Sequence, residues 1–167
     1  MLRWAFVIGC ALWVSGGGLA QPLRAEIAAA LAAYVADATP QDGKMTARDV
    51  ATYSAKERAP VCTRYRVYRV CGMGPPSSGA TTVYAILKQL ERFDMKALGP
   101  ANPVAWHLIA ESQRLAYADR EQHLADSDFV PVPVAGLIDP AYLAARSALI
   151  SDKTTMPTAL PGTPAGA

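Results

Sequence analysis

A rigid loop in the middle of the chain constrains its fold more than any other stretch. Two adjacent prolines, Pro75 and Pro76, remove two backbone donors and fix φ, so the loop is neither regular helix nor central strand. The serines that follow, Ser77 and Ser78, are each able to cap a helix by accepting a bond from a backbone N–H group. Residues 65–70, before the loop, alternate in the manner of a strand. A strand therefore enters this loop, and a helix leaves it.

The composition of the loop favours a structural role over a chemical one. Serine, proline and glycine are the ordinary residues of turns, so Pro75, Pro76, Ser77, Ser78 and Gly79 are interpreted as a rigid turn that precedes a helix. The alternative is a serine nucleophile, which needs a base within hydrogen-bond reach and an oxyanion site. The loop lacks the Gly-x-Ser-x-Gly pattern of a nucleophile elbow and the Gly-Lys-Ser/Thr of a phosphate-binding loop.

Three main helices are predicted from the loop onward. The first is expected at 80–94, where apolar residues recur at steps of three and four. Its expected buried face consists of Val83, Ile86, Leu87, Leu90 and Phe93. The second and third each begin with an N-cap residue followed by proline, at Asn102 and Asp139, and reach about residues 124 and 150. The stripe of the third helix consists of Tyr142, Leu143, Arg146, Leu149 and Ile150, which follow at helical spacing.

The segments on either side of these helices are simpler. An alanine-rich helix is predicted at 24–35, and the Thr-x-x-Asp pattern that begins at Thr46 predicts a short helix with a capping box. Residues 151–167 contain Lys, Thr, Pro, Gly and Ala without periodicity, which predicts a flexible tail. With the strands described below, the expected fold class is α+β.

The length of 167 residues limits the chain to about one domain. An apolar fraction of 51% with 18% charged residues is not that of a disordered chain. Sixteen basic and fourteen acidic residues give a net charge of +2, without the clustered basic face that nucleic-acid binding needs. No nucleic-acid partner is therefore expected.

The N-terminus has the features of an export signal. Arg3 supplies a positive charge, residues 4–14 form an uncharged apolar run, and residues 15–20 are small and flexible. The apolar run is shorter than the ~20 residues that span a bilayer. We therefore expect residues 1–20 to be a signal peptide and the protein to be periplasmic or extracellular. The alternatives are a chance apolar beginning and a start codon assigned inside or next to a longer gene.

A β-hairpin is predicted at about 59–72, with Arg66 and Val67 in its turn. This register places Cys62 opposite Cys71, on a non-hydrogen-bonded pair where side chains approach most closely. A cross-strand disulfide between these cysteines can form there. The alternative is two free thiols. The turn lacks the Gly or Asn of a tight hairpin, and the chain lacks the Cys-x-x-Cys pattern of a metal site.

Two polar clusters contain side chains that can bind a metal ion. Asp119, His123 and Asp126 stand at steps of four and three, so they share one helix face, and His107 and Glu111 form another such pair. Two carboxylates and a histidine at helical spacing are common by accident. A solvated polar face or a helix-end salt bridge explains the first cluster better, and the second is interpreted in the same way. No metal site is expected.

Seven segments in this order resemble the gamma-glutamyltransferases, also called gamma-glutamyltranspeptidases. They are Thr-Ala-Arg-Asp-Val-Ala-Thr-Tyr (46–53), Arg-Ala-Pro-Val (58–61), Gly-Pro-Pro-Ser-Ser-Gly-Ala (74–80), Ile-Leu (86–87) with Leu-Glu-Arg-Phe-Asp-Met (90–95), Glu-Ser-Gln-Arg-Leu-Ala-Tyr-Ala-Asp-Arg (111–120), Asp-Ser-Asp-Phe-Val (126–130) and Asp-Pro-Ala-Tyr-Leu-Ala-Ala-Arg (139–146). The resemblance covers residues 24–150. Ala80 stands where the family usually has a second glycine, and Val67 stands where its hairpin turn often has one.

The resemblance implies an N-terminal-nucleophile (Ntn) hydrolase, whose precursor cleaves itself into a large and a small subunit. The new N-terminal threonine of the small subunit attacks the γ-glutamyl amide of glutathione, and its own α-amino group can serve as the base. The γ-glutamyl group then passes to water, an amino acid or a peptide, without a cofactor. The present segment resembles the C-terminal part of the large subunit, a piece of an αββα sandwich whose partner is the small catalytic subunit.

The resemblance carries no catalytic or substrate-binding residue onto this chain. The family cleaves itself before a Thr-Thr-His segment, whereas Thr154 and Thr155 are followed by Met156 and Pro157, a pattern that suits a linker. We therefore expect a partial large-subunit domain at 24–150 that is inactive alone. The alternative is a non-catalytic exported remnant that binds a partner.

Overall fold

The computed structural model describes residues 20–38 and 45–167, and of residues 20–24 only the backbone. The predicted signal peptide therefore lies outside the described residues, apart from Ala20. The chain divides into two compact units, Met1–Lys56 and Glu57–Ala167, which are described separately. Among the described helices, none combines the length and the apolar character that crossing a membrane requires.

The first unit contains two helices, α1 (Ala20–Ala38) and α2 (Ala47–Thr52). The predicted helix at 24–35 is thus longer at both ends. The predicted capping box is present, since the amide of Asp49 donates to Thr46 Oγ1 at 3.3 Å and the amide of Thr46 donates to Asp49 Oδ2 at 2.7 Å. These two bonds satisfy backbone donors that the first turn of α2 leaves free.

The second unit begins with an antiparallel hairpin of β1 (Val61–Tyr65) and β2 (Tyr68–Gly72). Its register is the predicted one, with Cys62 opposite Cys71. Arg66 adopts the left-handed conformation, φ 53°, which glycine or asparagine usually takes in such turns. The amide of Arg66 donates to Glu91 Oε1 at 3.2 Å, which helps to hold this turn without a glycine.

The loop after the hairpin leads into α3 (Gly79–Leu90), and the Pro75–Pro76 peptide bond is cis. Neither serine caps α3 as predicted, because Ser78 makes no capping bond and Ser77 Oγ accepts only from the Gly79 amide, at 3.2 Å. The predicted helix 80–94 also ends earlier, at Leu90.

A separate helix, α4 (Met95–Leu98), follows α3. The carboxylate of Asp94 caps α4 by accepting from the Ala97 amide at 3.0 Å. A side chain that caps a new helix favours non-helical backbone at its own position, so α3 does not extend through Asp94.

The buried face of α3 differs from the predicted one. Val83 is 50% exposed, whereas Tyr84 and Ala85 are buried. α3 packs against the hairpin on one side and against two later helices on another, so more than one face is covered. Thr81, Thr82 and Gln89 are also buried, and polar side chains of this kind do not register in a search for apolar periodicity.

Three further helices complete the unit: α5 (Pro103–His123), α6 (Val134–Leu137) and α7 (Pro140–Ser147). The predicted caps are present, with Asn102 Oδ1 accepting from Val104 N at 2.9 Å and Asp139 Oδ1 from Tyr142 N at 2.8 Å. The short α6 was not predicted. α7 ends before residue 150, and Leu149 is 55% exposed rather than buried.

The core of this unit lies between α3, α5 and α7. Leu108 and Leu115 of α5 and Leu143 of α7 are its fully buried leucines. They belong to two clusters, one around Tyr84 and Leu143 and the other around Leu90, Leu108 and Leu115. The α+β class is confirmed, because helices pack against a two-stranded antiparallel sheet.

The C-terminal segment is not the predicted flexible tail. Residues 156–166, which we call the strap, have no helix or strand but lie on the helices. Met156 packs against the Leu108 cluster, and Pro164 is fully buried. The strap lacks periodicity because polar side chains of the helices, rather than a regular pattern of its own, hold its backbone.

Candidate functional site

The serine loop does not contain a catalytic arrangement. Ser78 Oγ accepts a bond from Arg120 Nε at 3.0 Å, and Ser77 Oγ faces the Gly79 amide. The chain has two histidines, and neither is hydrogen-bonded to these serines in the part that the structure describes. His107 and His123 instead bond the carbonyl oxygens of Ser151 and Gly162 through Nε2, at 2.9 and 2.8 Å. The loop is therefore a structural connection that α5 supports.

The hairpin brings together the two cysteines that the sequence placed opposite each other. Cys62 and Cys71 are joined by a disulfide, with their Cα atoms 4.1 Å apart. Arg64 and Arg69 form the next pair of the same face. Both arginines are exposed, so this face of the hairpin is positively charged.

The polar face of α5 is buried rather than solvated. Asp119 is 3% exposed, and its carboxylate accepts from Arg146 of α7 at two points, Nη2 at 2.9 Å and Nε at 3.1 Å. Asp119 Oδ1 also accepts from the amide of Gly162 at 2.7 Å. Asp119 is therefore neither on a solvated face nor in a helix-end salt bridge, but in an internal ion pair between α5 and α7 that reaches the strap.

The other members of the two polar clusters also contact protein groups. His123 Nε2 contacts the carbonyl oxygen of Gly162, while Asp126 lies 3.7 Å from Arg58. Among residues 20–38 and 45–167, no group of three side chains has the placement that a metal ion needs. In the described residues, these side chains bind protein groups.

Glu111 of α5 holds the beginning of the strap. Glu111 is 2% exposed and accepts from the amide of Met156 at 2.8 Å and from Arg114 at 2.7 Å. Burial has the largest single effect on this carboxyl and raises its pKa. The hydrogen bonds from Met156 and Arg114 act in the opposite direction, and the net result is a pKa of Glu111 below its ordinary value.

Sequence reasoning missed Arg114 and gave Arg146 no role beyond its place in a helical stripe. Arg114 Nη1 donates to the carbonyl oxygen of Met156 at 2.7 Å, and Arg146 Nη2 donates to that of Leu160, also at 2.7 Å. Arg146 did carry a signal, because an arginine within an otherwise apolar helical stripe implies a buried partner. Arg114 carried none.

Tyr142 lies beside Asp119 and Gly162. Its hydroxyl is buried near the Asp119 carboxylate. Burial, together with the nearby Asp119 carboxylate, raises the pKa of Tyr142. A Cβ at Gly162 would collide with this hydroxyl, so the strap passes Tyr142 only because residue 162 has no side chain.

The threonine pair before the strap is not placed for catalysis. Thr154 and Thr155 are exposed, and the amide of Thr154 donates to Ser151 Oγ at 3.2 Å within a local turn. No hydrogen bond joins either side chain to another described residue. The structure thus contains an anchored segment and an open charged hairpin, without a nucleophile–base pair among the residues that the sequence singled out.

Comparison with known proteins gives a consistent set of relatives. The model of the family described as Gamma-glutamyltranspeptidase matches residues 17–166. The glutathione hydrolase proenzyme of Escherichia coli K12 is 46% identical over 100 residues, which are 60% of this chain and 17% of the relative. The acylase ACY 1 proenzyme of Pseudomonas sp. SE83 is 43% identical over 108 residues, 65% of this chain and 19% of the relative.

Solved structures agree with the sequence relatives. The gamma-glutamyltranspeptidase of Helicobacter pylori superposes with a TM-score of 0.66 at 36% identity, over 82% of this chain and 38% of that one. A cephalosporin acylase of Bacillus halodurans superposes with a TM-score of 0.64 at 25% identity, over 84% of this chain and 25% of that one. The chain spans only about a fifth of the length of the curated relatives that it matches. By this match over most of its length, the chain belongs to the gamma-glutamyltranspeptidase family.

Proposed function

We propose that this chain forms the C-terminal part of the large subunit of a gamma-glutamyltransferase, an enzyme that hydrolyses or transfers the γ-glutamyl group of glutathione and related compounds. The observation that carries the proposal is the family match over residues 17–166. The name of the E. coli relative, a glutathione hydrolase proenzyme, supports the substrate and the self-processing. The proposal assigns the chemistry to the enzyme as a whole and a scaffold role to this segment.

The scaffold role follows from what the described residues do. Helices α3, α5 and α7 form a packed layer that supports the hairpin through contacts such as Tyr84 OH to the carbonyl oxygen of Arg64, at 3.0 Å. A two-stranded sheet has two free edges, and free edges pair readily with further strands. In the proposed enzyme, strands from the rest of the protein and from the small catalytic subunit extend this sheet into an αββα sandwich of the Ntn-hydrolase type.

The proposed reaction takes place on the small subunit. Its N-terminal threonine hydroxyl adds to the γ-glutamyl carbonyl carbon while its α-amino group accepts the hydroxyl proton. The amide C–N bond then breaks, and the leaving amine takes up that proton. Water or the amino group of an amino acid or peptide attacks the ester and restores the threonine. Alone, this chain supplies no nucleophile and is proposed to be inactive.

A second candidate is an acylase that acts on other amides. It is favoured by relatives named acylase ACY 1 at 42% and 43% identity, close to the 46% of the glutathione hydrolase. Both candidates use the same acyl transfer, and they differ in the acyl group that is accepted. A non-catalytic exported remnant that binds a partner is the remaining alternative. Export itself is proposed on the features of residues 1–20 alone.

A segment exchange tests the proposal. The part of the E. coli proenzyme that matches this chain is replaced by the corresponding residues of this chain, and self-cleavage and glutathione hydrolysis are measured. We expect two subunits on a denaturing gel and glutathione hydrolysis within about tenfold of the parent enzyme. The control carries the native E. coli segment rebuilt through the same junctions.

The outcomes separate the candidates. Self-cleavage with hydrolysis of an acylase substrate in place of glutathione favours the acylase. A folded hybrid that remains a single uncleaved chain contradicts the scaffold role. Sequencing the coding DNA on both sides of this reading frame adds an independent check. A Thr-Thr-His segment downstream supports the proposal, whereas its absence there favours the partner-binding remnant.

A further inference from the structure

The strap lies in a groove between α5, α6 and α7. Side chains of the groove contact mainly the backbone of the strap. We propose that this groove is a peptide-binding site whose ligand is residues 156–166 of the same chain, bound strongly enough to remain in place without their covalent connection to the helices. The site goes beyond the proposed function and does not rest on it. The ligand class is an extended peptide with a glycine at the position of Gly162 and a proline at that of Pro164.

The first anchor binds both backbone polar groups of one residue, Met156. Glu111 Oε2 accepts from the Met156 amide at 2.8 Å, and Arg114 donates to the Met156 carbonyl oxygen at 2.7 Å. Arg114 also donates to the Pro157 carbonyl oxygen at 3.4 Å. Because Glu111 and Arg114 are themselves ion-paired at 2.7 Å, the acceptor and the donor are held in fixed positions relative to each other.

The second anchor repeats this arrangement six residues further along, at Gly162. Asp119 Oδ1 accepts from the Gly162 amide at 2.7 Å, and His123 bonds the Gly162 carbonyl oxygen at 2.8 Å. Arg146, which is paired with Asp119, donates to the Leu160 carbonyl oxygen at 2.7 Å. Hydrogen bonds that involve a charged partner are roughly twice as strong as neutral ones, so this anchor is strong for a segment without secondary structure.

Close contacts define which peptides fit. A side chain at Gly162 would meet the Tyr142 hydroxyl, and a Cβ at Gly136 of α6 would meet the backbone of Ala165. Pro164 is fully buried. In contrast, Thr158 is exposed and has no hydrogen bond to another described residue. The groove therefore selects the backbone, a glycine at 162 and a proline at 164, and it leaves the side chain at 158 unconstrained.

The connection to the strap is separate from the groove. Residues 152–155 are exposed, and their hydrogen bonds are local, from the amides of Lys153 and Thr154 to Ser151 Oγ. A break between Thr154 and Thr155 would leave both anchors intact. The site can therefore be tested in the whole chain without altering a residue of the groove.

A protease recognition sequence is inserted between Thr154 and Thr155 of the full chain, and the purified protein is cut. Native mass spectrometry and gel filtration then report whether the two pieces stay together. We expect a stable complex of the helical part and the strap. Separation of the pieces under non-denaturing conditions would overturn the proposal.

Exchange with synthetic peptides measures the selectivity of the groove. A labelled peptide of residues 155–167 is added to the cut protein, and its uptake is followed. The Gly162→Ala peptide is expected to bind at least about tenfold more weakly, because overpacking of this size costs about one tenfold step or more. The Thr158→Ala peptide is the matched control and is expected to bind within about twofold of the native peptide, since no partner is lost.

The last variant assigns the selectivity to one contact. Tyr142→Phe removes the hydroxyl that an alanine at position 162 would meet and keeps the aromatic ring. In this variant, the Gly162→Ala peptide is expected to regain part of its binding. Equal binding of the native and Gly162→Ala peptides to the unchanged groove would contradict the ligand class.

Discussion

Asp119 of α5 and Arg146 of α7 form a buried ion pair with two contacts, Nη2 to Oδ1 at 2.9 Å and Nε to Oδ2 at 3.1 Å. Both side chains are less than 10% exposed, at 4% and 7%. Arg146 also donates to the carbonyl oxygen of Leu115, and Asp119 accepts from the Gly162 amide. The pair thus links two helices and the strap, and each charge has further hydrogen-bond partners.

Removing one member of this pair should strongly destabilise the second unit. Asp119→Ala leaves the guanidinium of Arg146 buried without its counter-ion, which typically costs about 3–5 kcal/mol. Urea-induced unfolding at pH 7, followed by circular dichroism, measures the change in the free energy of unfolding. Glu121→Ala, an exposed acid on the same helix, is the control and should change it by less than about 0.5 kcal/mol. A similar small effect of Asp119→Ala would show that the pair is not formed.

The elements that the sequence predicted well are those fixed by local chemistry. The caps at Thr46, Asn102 and Asp139 each depend on a side chain and an amide two or three residues away. The pairing of Cys62 with Cys71 follows from counting outward from a two-residue turn. The caps and the cysteine pairing do not depend on the rest of the fold, so local sequence patterns were sufficient to predict them.

The strap could not be predicted in the same way. Its anchors join residues far apart in sequence, such as Glu111 with Met156 and Asp119 with Gly162. The groups that are bound are backbone amides and carbonyls, which every residue has and which therefore leave no compositional signal. A Pro- and Gly-containing stretch appears flexible until the opposing helices are known.

The stability of the chain should depend on the ionisation of Glu111 in acid. The pKa of this carboxyl is lower in the folded state than in the unfolded state, so the folded state favours the ionised form. Its contribution is complete above the unfolded pKa of about 4.3 and is lost as the pH falls toward the folded pKa.

Unfolding free energies of the native chain and Glu111→Gln, measured by urea from pH 6 to pH 3, test this dependence. The advantage of the native chain should be constant near pH 6 and shrink below about pH 4.3. Glu121→Gln serves as a control, since Glu121 is exposed and no hydrogen bond joins it to the strap among the described residues. An advantage that grows as the pH falls would contradict the assigned sign.

The hairpin disulfide should stabilise the second unit by restricting its unfolded state. The cysteines are nine residues apart, and closing a loop of this size is worth roughly 2–3 kcal/mol in the chain-entropy model. Thermal unfolding with and without a reductant measures this contribution. The Cys62→Ser/Cys71→Ser variant should unfold like the reduced native chain and should not respond to the reductant. A reductant effect that persists in this variant would assign the change to another group.

Ser77 and Ser78 should not react as nucleophiles. A serine hydroxyl attacks only when a neighbouring base removes its proton. Ser78 Oγ accepts from the Arg120 guanidinium, which is not a base, and Ser77 Oγ accepts from the Gly79 amide. Both histidines of the chain bond backbone carbonyl oxygens elsewhere. A fluorophosphonate probe, followed by mass spectrometry of the 73–80 region, should therefore show no modification, with a known serine hydrolase as the positive control. Stoichiometric labelling that disappears in Ser77→Ala or Ser78→Ala would identify a serine hydrolase site and overturn the structural role of the loop.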